Sequence, residues 1–345
     1  MRFRARSTKA QTAFLAALLP PISNLGLSRT DNSALLISES YFSIFTNPPS
    51  SQITAHAQLS MKSIFTDHKI DSRESNSILL EFDPPHLLAA LKSLLASGAE
   101  TVQLKLQKKN GQPFIVIETL QMGSSNAKVL HDIPVKIMKI SEDLPSHQPP
   151  PLSHSLVHLL LPPASYTLLR TSIERLKNMS PTVCSASIGL QMDMKGNLTM
   201  SIEHDGFANR VFFENFGVDY RSCVAGRDYK IEQLKKFREK NDQPLNCQED
   251  AHVADDETAK TTVAVAPDVL LKLFKWQGSW SKLVHEATLC VHKFRNGTKI
   301  LVLECDFHRE RDGTDGGKVE FYASVSIEDE GEQDDGEEEE EEGGS

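Results

Sequence analysis

The sequence predicts an α+β fold of two similar domains, each pairing two helices with antiparallel strands. Three observations predict it. Helix-periodic stripes are few, while period-two segments closed by hairpin turns are many. One order of elements runs along the chain twice, and two of the helices open on proline directly after a strand. With 345 residues, 39% hydrophobic and 24% charged, the chain has material for two cores.

The first strand is expected at the N-terminus, with Met1, Phe3 and Ala5 inward and Arg2, Arg4 and Arg6 outward. A mitochondrial presequence is the competing reading, because no acid precedes Asp31. A helix follows over Thr8 to Leu19. Its stripe is Phe14, Leu15, Leu18 and Leu19, and its far face is Lys9, Ala13 and Ala16. Pro20-Pro21 interrupts the run, which does not suit a secretory signal. Strands are expected at Leu35–Ser38, Phe42–Thr46, Ile53–Leu59 and Ile78–Phe82. The last of these meets Asp83, a candidate N-cap, with Pro84 and Pro85 in the first helical turn. That helix carries Leu87, Leu88, Leu91, Leu94 and Leu95 on one side and Ala89, Lys92, Ser93 and Ala96 on the other. Thr101–Gln107 and Pro113–Thr119 form a hairpin about Asn110-Gly111. A last strand pair lies within Ala127–Ile140, before the Pro-rich stretch Leu144–Leu152.

The order then repeats. Strand Ser155–Leu161 meets Pro162-Pro163 and a helix to Met179 with Tyr166, Leu169, Ile173 and Leu176 as its stripe. Strands follow at Val183–Leu190, at Leu198–Glu203 after the Lys195-Gly196-Asn197 turn, and at Arg210–Phe216. Thr261–Ala266 runs into Pro267 and a helix with Val269, Leu270, Leu273 and Phe274 inward. Ala287–His292, Thr298–Asp306 and Lys318–Ile327 close the body through turns at Asn296-Gly297 and Asp312-Gly313. Polar residues 220–259 absorb the extra length of the second half and are read as a disordered insert. The resulting division is 1–132 and 154–327 as domains, 133–153 as connector, and 328–345 as a disordered tail.

Charge and motifs narrow the function. The formal charge of −10 comes from the tail, because residues 328–345 hold 12 of the 47 acids and no base. Without it, 37 bases face 35 acids, a charge of +2. No apolar stretch approaches the roughly 18 residues of a bilayer-spanning helix, so no membrane association is expected. Cys184, Cys223, Cys247, Cys290 and Cys305 form no CxxC pair, so neither a disulfide framework nor a structural metal site is expected. They suit a reducing compartment. His154 and His158 sit four apart on a strand, where that spacing does not converge on a metal, and are read as surface histidines. Trp276 and Trp280 are read as packing residues rather than base-stacking ones. No phosphate-binding loop, nucleophile elbow or dinucleotide fingerprint occurs, and catalysis has no visible carrier.

The helices are the informative feature. Each buries one stripe and leaves small or polar residues with isolated bases opposite: Lys9; Lys92; Arg170, Arg175 and Lys177; Lys272 and Lys275. Such a face can contact phosphates without reading bases. A plain solvated helix face is the alternative.

Several segments resemble one family. They are the opening MRFRARSTKAQTAFLAALLPPISNL, SNSILLEFDPPHLLAALKSL, KKNGQPFIVIET, VLHDIPVKIM with its His131-Asp132-Ile133-Pro134, and IERLKNMSPTVCSASIGLQMDMKGNLTMSIE. Together they are similar to the HUS subunit family of the checkpoint sliding clamp, the heterotrimeric PCNA-like ring called the nine-one-one complex. The resemblance implies a DNA clamp fold, with antiparallel sheets outside and helices on the inner face. Lys9, Lys92, Arg170, Lys177, Lys272 and Lys275 would then face the DNA backbone. Ala127, Lys128, Val129, Leu130, His131 and Asp132 would form one edge strand, and Arg210, Val211, Phe212, Phe213 and Glu214 the other. These would pair with two other checkpoint clamp subunits by strand addition. The resemblance also implies a clamp loader, double-stranded DNA through the ring, repair enzymes docking at the connector, a nuclear location, and no catalytic residues, cofactor or metal. The 220–259 insert, with Lys235, Lys236, Arg238 and Lys240, and the acidic tail depart from the family pattern. Three other readings stand beside this one: a homotrimeric replication clamp, an acid-tailed nuclear interaction protein, and a mitochondrial matrix enzyme.

Overall fold

Strand β1 (Arg2–Thr8) alternates strictly: Phe3, Ala5 and Ser7 are buried and the three arginines exposed. It lies inside a sheet, between two neighbours, in the computed structural model of the chain. The structure describes residues 1–23, 25, 33–46, 52–120, 128–149, 152, 154–179, 187–204, 207–219, 260–275, 280, 283–294, 298–307 and 316–325. Met1, expected to point inward, is 51% exposed, because the strand begins one residue later.

After β1 the first half runs α1 (Lys9–Ser23), β2 (Ser33–Ile37), β3 (Tyr41–Thr46), β4 (Ile53–Ser60), α2 (Met61–Ile64), β5 (Asp67–Asp71), β6 (Ile78–Phe82), α3 (Pro84–Ala96), β7 (Thr101–Lys109), β8 (Gln112–Thr119) and β9 (Leu130–Pro134). Then come β10 (Lys136–Met138) and α4 (Ile140–His147). The second half runs β11 (His154–Leu161), α5 (Ser165–Met179), β12 (Ile188–Asp193), β13 (Leu198–His204), β14 (Phe207–Phe213), β15 (Gly217–Val218), β16 (Lys260–Val265), α6 (Pro267–Leu273), β17 (Val284–Lys293), β18 (Lys299–Phe307) and β19 (Lys318–Ser324).

The repeat is carried by the pairing as well as by the order. The first half orders its strands β5-β1-β7-β8-β9 and β6-β2-β3-β4; the second orders them β15-β11-β17-β18-β19 and β16-β12-β13-β14. Strand for strand, these are the same two sheets. They join where β4 pairs antiparallel with β19, from Ile53 opposite Ala323 to Gln58 opposite Lys318. That seam fuses one sheet of each half into a ten-stranded sheet, to which β10 adds at β6.

Inside each half, sheets and helices enclose a common core. Phe65 touches Phe3 of β1 and Phe42 of β3 edge-on, at centroid distances of 6.1 and 5.9 Å. Helix α3 buries Leu87, Leu91 and Leu94, each at 1% exposure or less, and each worth about 1.5–3 kcal/mol relative to exposure. Tyr166, Leu169, Ile173 and Leu176 of α5 are buried, as are Val269, Leu270, Leu273 and Phe274 at α6. Asn110 and Gly111 both take positive φ in the β7–β8 turn, as an Asn-Gly hairpin requires. Asp83 precedes α3, but its carboxylate meets the His86 ring at 2.8 Å rather than capping the helix.

Three expectations are corrected by packing. Ala16 is buried at 6% exposure, because α1 is covered on two sides. Helix α1 continues through Pro20 and Pro21 to Ser23, because prolines in the last turn remove few bonds. Pro21 has no N–H for the Ala17 carbonyl; the Trp280 indole Nε1–H donates to it at 2.7 Å. Trp280, fully buried against Phe307 and Phe321, therefore holds α1 to the second half, in keeping with its reading as a packing residue. Finally, the segment 133–153 is no plain linker. Ile133 and Pro134 belong to β9, and β10 and α4 lay Met138, Ile140 and Leu144 over the outer face of β2, β3 and β6. The short strands β5 and β15 and the single turn α2 had no periodicity long enough to announce them.

A polar network locks the seam. Glu320 is reached by His56 at 3.3 Å, Tyr322 at 2.8 Å and Lys318, and His56 stacks on Phe45 at 4.6 Å. Burial alone would raise the Glu320 pKa; the hydrogen bonds from His56, Lys318 and Tyr322 outweigh it and bring it down to about 2.

Two predictions follow from these contacts. The unfolded chain takes up a proton at Glu320 below the ordinary value of 4.5, whereas the folded chain does so only near 2. Stability is therefore expected to fall by about 3 kcal/mol as pH drops through that window. Urea unfolding at pH 7 and pH 3 checks this, with about 2 kcal/mol of the loss already present at pH 3 and Glu320→Gln losing that part of the difference. Trp280→Phe orphans the Ala17 carbonyl and is expected to cost about 1–3 kcal/mol beyond lost packing, read as a lower thermal midpoint.

Candidate nucleic-acid interface and assembly edges

The helices form two packed pairs, α1 with α3 and α5 with α6. The Trp280–Ala17 bond ties α1 to the segment after α6. Their exposed faces are what the apolar stripes leave over. Across the four helices stand six bases (Lys9, Lys92, Arg170, Arg175, Lys177 and Lys272) and two acids (Glu174 and Asp268), with Lys275 just past α6.

The bases fall into two sets. Arg170, Lys272 and Lys275 line one depression with Glu174 and Asp268, beside Gln52 and Ile53 of the first half. Lys177 reaches Asp268 across the helix pair at 2.5 Å, and Arg170 meets Glu174 at 3.0 Å. Both pairs are solvent-exposed, the class whose net worth is about 0–1 kcal/mol, so phosphates can displace them. Lys9 and Lys92 stand apart on the α1–α3 pair; Lys9 lies 4.0 Å from Glu100, and Lys92 has no carboxylate partner among the described residues. Leu168 and Met179 of α5 are 60% and 56% exposed, which the stripe pattern did not single out.

The expected edge strands fall at two sheet ends. β9 ends the five-stranded sheet and β14 ends the four-stranded one, so each carries an unpaired row of backbone groups. Of the first expected edge strand, Leu130, His131 and Asp132 lie in β9, which continues to Pro134. Lys128 and Val129 precede it, with the Val129 carbonyl accepting the Thr119 N–H of β8 at 3.1 Å, and Ala127 lies outside the described residues. Of the second, Arg210, Val211, Phe212 and Phe213 end β14, and Glu214 follows it. Val211 and Phe213 pack on the core, while Phe212 is 66% exposed; on β9, Leu130 is 46% exposed.

The charges beside these edges are largely answered within the chain. Glu118 of β8 binds Lys105 at 2.7 Å and Lys128 at 2.6 Å; burial would raise its pKa, and these lysines more than offset that to hold it low. Lys109 binds Asp132 at 2.6 Å, and Arg210 binds Glu203 at 3.1 Å.

One reading of the histidines fails. His158, expected at the surface, is 6% exposed and lies beside Cys290 and His292. Sequence spacing could not bring these together, because the pairing of β11 with β17 does it. Cys184, Cys223, Cys247, Trp276, the 220–259 insert and the acidic tail lie outside the described residues.

Comparison with known proteins agrees with this architecture. The family profile described as Hus1-like protein matches residues 1–299. The chain belongs to the Hus1-like family. The checkpoint protein HUS1 of Homo sapiens is 28% identical over 170 residues, covering 48% of this chain and 56% of the human protein. The checkpoint protein hus1 of Schizosaccharomyces pombe is 27% identical over 146 residues, covering 42% and 47%. This Hus1-like chain thus spans about half the length of the curated relatives it matches. Among solved structures, the proliferating cellular nuclear antigen of Entamoeba histolytica superposes with a TM-score of 0.56 at 13% identity, over 94% of this chain and 99% of its own. That of Thermococcus kodakaraensis gives 0.52 at 15% identity, over 94% and 100%. The fold is the PCNA-like clamp fold. Among the described residues no helix is long and apolar enough to cross a membrane.

Proposed function

We propose that this chain is a subunit of a ring-shaped checkpoint clamp that encircles double-stranded DNA. One observation carries the reading. β4 and β19 already form one antiparallel seam, and their repeat equivalents, β14 and β9, each stand at a sheet end among the described residues. A seam of the same kind can therefore form between chains, β9 of one with the β14-type edge of the next. Successive seams turn the chain of domains into a closed ring.

In this reading residues 1–132 and 154–327 are the two clamp domains, and 133–153 connects them across the outer face. Two related checkpoint clamp subunits complete a heterotrimer, which a clamp loader opens and closes around DNA in the nucleus. Lys9, Lys92, Arg170, Lys177, Lys272 and Lys275 meet the phosphates without base recognition, which suits a ring that must slide. Ile137, 44% exposed within the connector, offers a place for repair enzymes to dock. The ring itself catalyses nothing; it holds factors at damaged DNA and supports activation of the checkpoint kinase.

Co-expression with the same organism's two other clamp subunits, followed by size exclusion with mass determination, tests this. A one-to-one-to-one complex is expected. A monomer in their presence would sink the proposal, and a homotrimer would reassign the chain as a replication-type clamp. Phe212→Asp and Leu130→Asp, both at exposed positions, are expected to release the chain from the complex while leaving its own thermal unfolding unchanged. For the assembled ring, Lys92→Ala with Lys272→Ala and Lys275→Ala is expected to lower the slope of log K against log salt by about 2–3, read by DNA binding at several salt concentrations.

A further inference from the structure

The outer face of the second half holds a group of donors for which the clamp reading has no use. In the β11–β17 ladder His158 stands opposite Cys290. His292, two residues along β17, shares their face. One donor atom from each of the three lies within 4.8 Å of the others. All three are interior: His158 is 6% exposed, Cys290 0% and His292 9%.

Their polar atoms are poorly served. Nε2 of His158 and both ring nitrogens of His292 have no hydrogen-bond partner among the described residues. A neutral imidazole has one N–H and one lone pair, and burying either without a partner is costly. Well-folded interiors rarely leave such atoms bare unless an ion or an ordered water completes them. The rings meet edge-on with centroids 5.7 Å apart, so they do not complete each other.

We infer that His158, Cys290 and His292 form a zinc site that clips β11 to β17. Thiolate and imidazole donors are the set that zinc takes, and hard cations such as magnesium or calcium do not. Bonds of about 2.0–2.3 Å require the three donors to converge more closely than the 4.8 Å within which they lie. The fourth position is left for a water molecule or the carboxylate of Asp219, whose N–H donates to the His158 carbonyl at 3.2 Å.

Each imidazole in its neutral form has one lone pair to offer a metal. The Cys290 S–H donates to the Val302 carbonyl at 3.4 Å. Forming the zinc–sulfur bond therefore breaks the S–H bond and releases that proton to solvent.

The test uses the full chain, purified with its partner subunits if these are needed for solubility. After dialysis against dilute zinc, elemental analysis is expected to give one zinc per chain, lost in Cys290→Ser and in His292→Asn. The cobalt-substituted chain is expected to show a thiolate-to-cobalt charge-transfer band. That band persists in the double variant Cys223→Ser with Cys247→Ser and disappears in Cys290→Ser. The thermal midpoint rises with free zinc in the wild type. Absence of the band in the wild type overturns the proposal even if Cys290→Ser does not fold. Its survival in a folded Cys290→Ser, or a midpoint indifferent to zinc, overturns it as well.

Discussion

The β4–β19 seam is the contact on which the rest of the molecule depends. It converts two separately sheeted halves into a body with a continuous ten-stranded sheet. Its inward side is apolar: Ile53, Ala55 and Ala57 face Ala323, Phe321 and Val319. Its outward side is where specificity enters. Glu320 is buried in an ion-pair and hydrogen-bond network that neither half could complete alone, since His56 comes from one and Lys318 and Tyr322 from the other. A buried carboxylate with these partners fixes register as well as contributing energy, because a one-residue slip would leave it unpaired in the interior.

The helical side is tied by a different device. Proline in the last turn of α1 leaves a carbonyl without its usual donor, and a tryptophan from the other half supplies one. The sheet seam and this bond lie on opposite sides of the shared core, so the two halves are held through both layers. This bracing keeps the exposed helix faces at a fixed disposition. Bases carried on rigid helices can be spaced to meet a phosphate backbone, whereas the same lysines on independent halves could not.

Much of this was legible in the sequence because it rests on local signals. Asn110-Gly111 can hardly be anything but a tight hairpin, and Phe82-Asp83-Pro84 reads as a strand passing into a helix. The stripes Tyr166, Leu169, Ile173, Leu176 and Val269, Leu270, Leu273, Phe274 report their burial directly. What escaped was set by pairing between distant segments. Nothing near Trp280 says that its partner is Ala17. Nothing near His158 says that Cys290 faces it, and a histidine beside a Pro-rich stretch reads as exposed until the opposite strand is known. The same limit explains the edges. The edge strands 127–132 and 210–214 are expected from the family resemblance alone, and it is the strand order that makes β9 and β14 the ends of sheets.

Those ends raise the question of how one clamp subunit chooses another. Charges are the usual discriminators at sheet edges. Here Lys128, Asp132 and Arg210 are each engaged by Glu118, Lys109 and Glu203 of the same chain. A partner that sought them would first have to displace an existing pair, for little net gain. Each edge also carries a large exposed apolar residue, Leu130 on one and Phe212 on the other. Backbone ladders give affinity to any extended strand, so discrimination passes to how these two side chains fit the facing surface. A large exposed phenylalanine tolerates only a partner with room for it, and an edge so built rejects wrong partners by shape rather than by charge. In the proposed ring, choice by shape would also be insensitive to ionic strength, unlike a hold of the helix lysines on DNA. Assembly and DNA binding would then respond to different physical variables, and a change of salt would loosen the grip on the duplex without opening the ring.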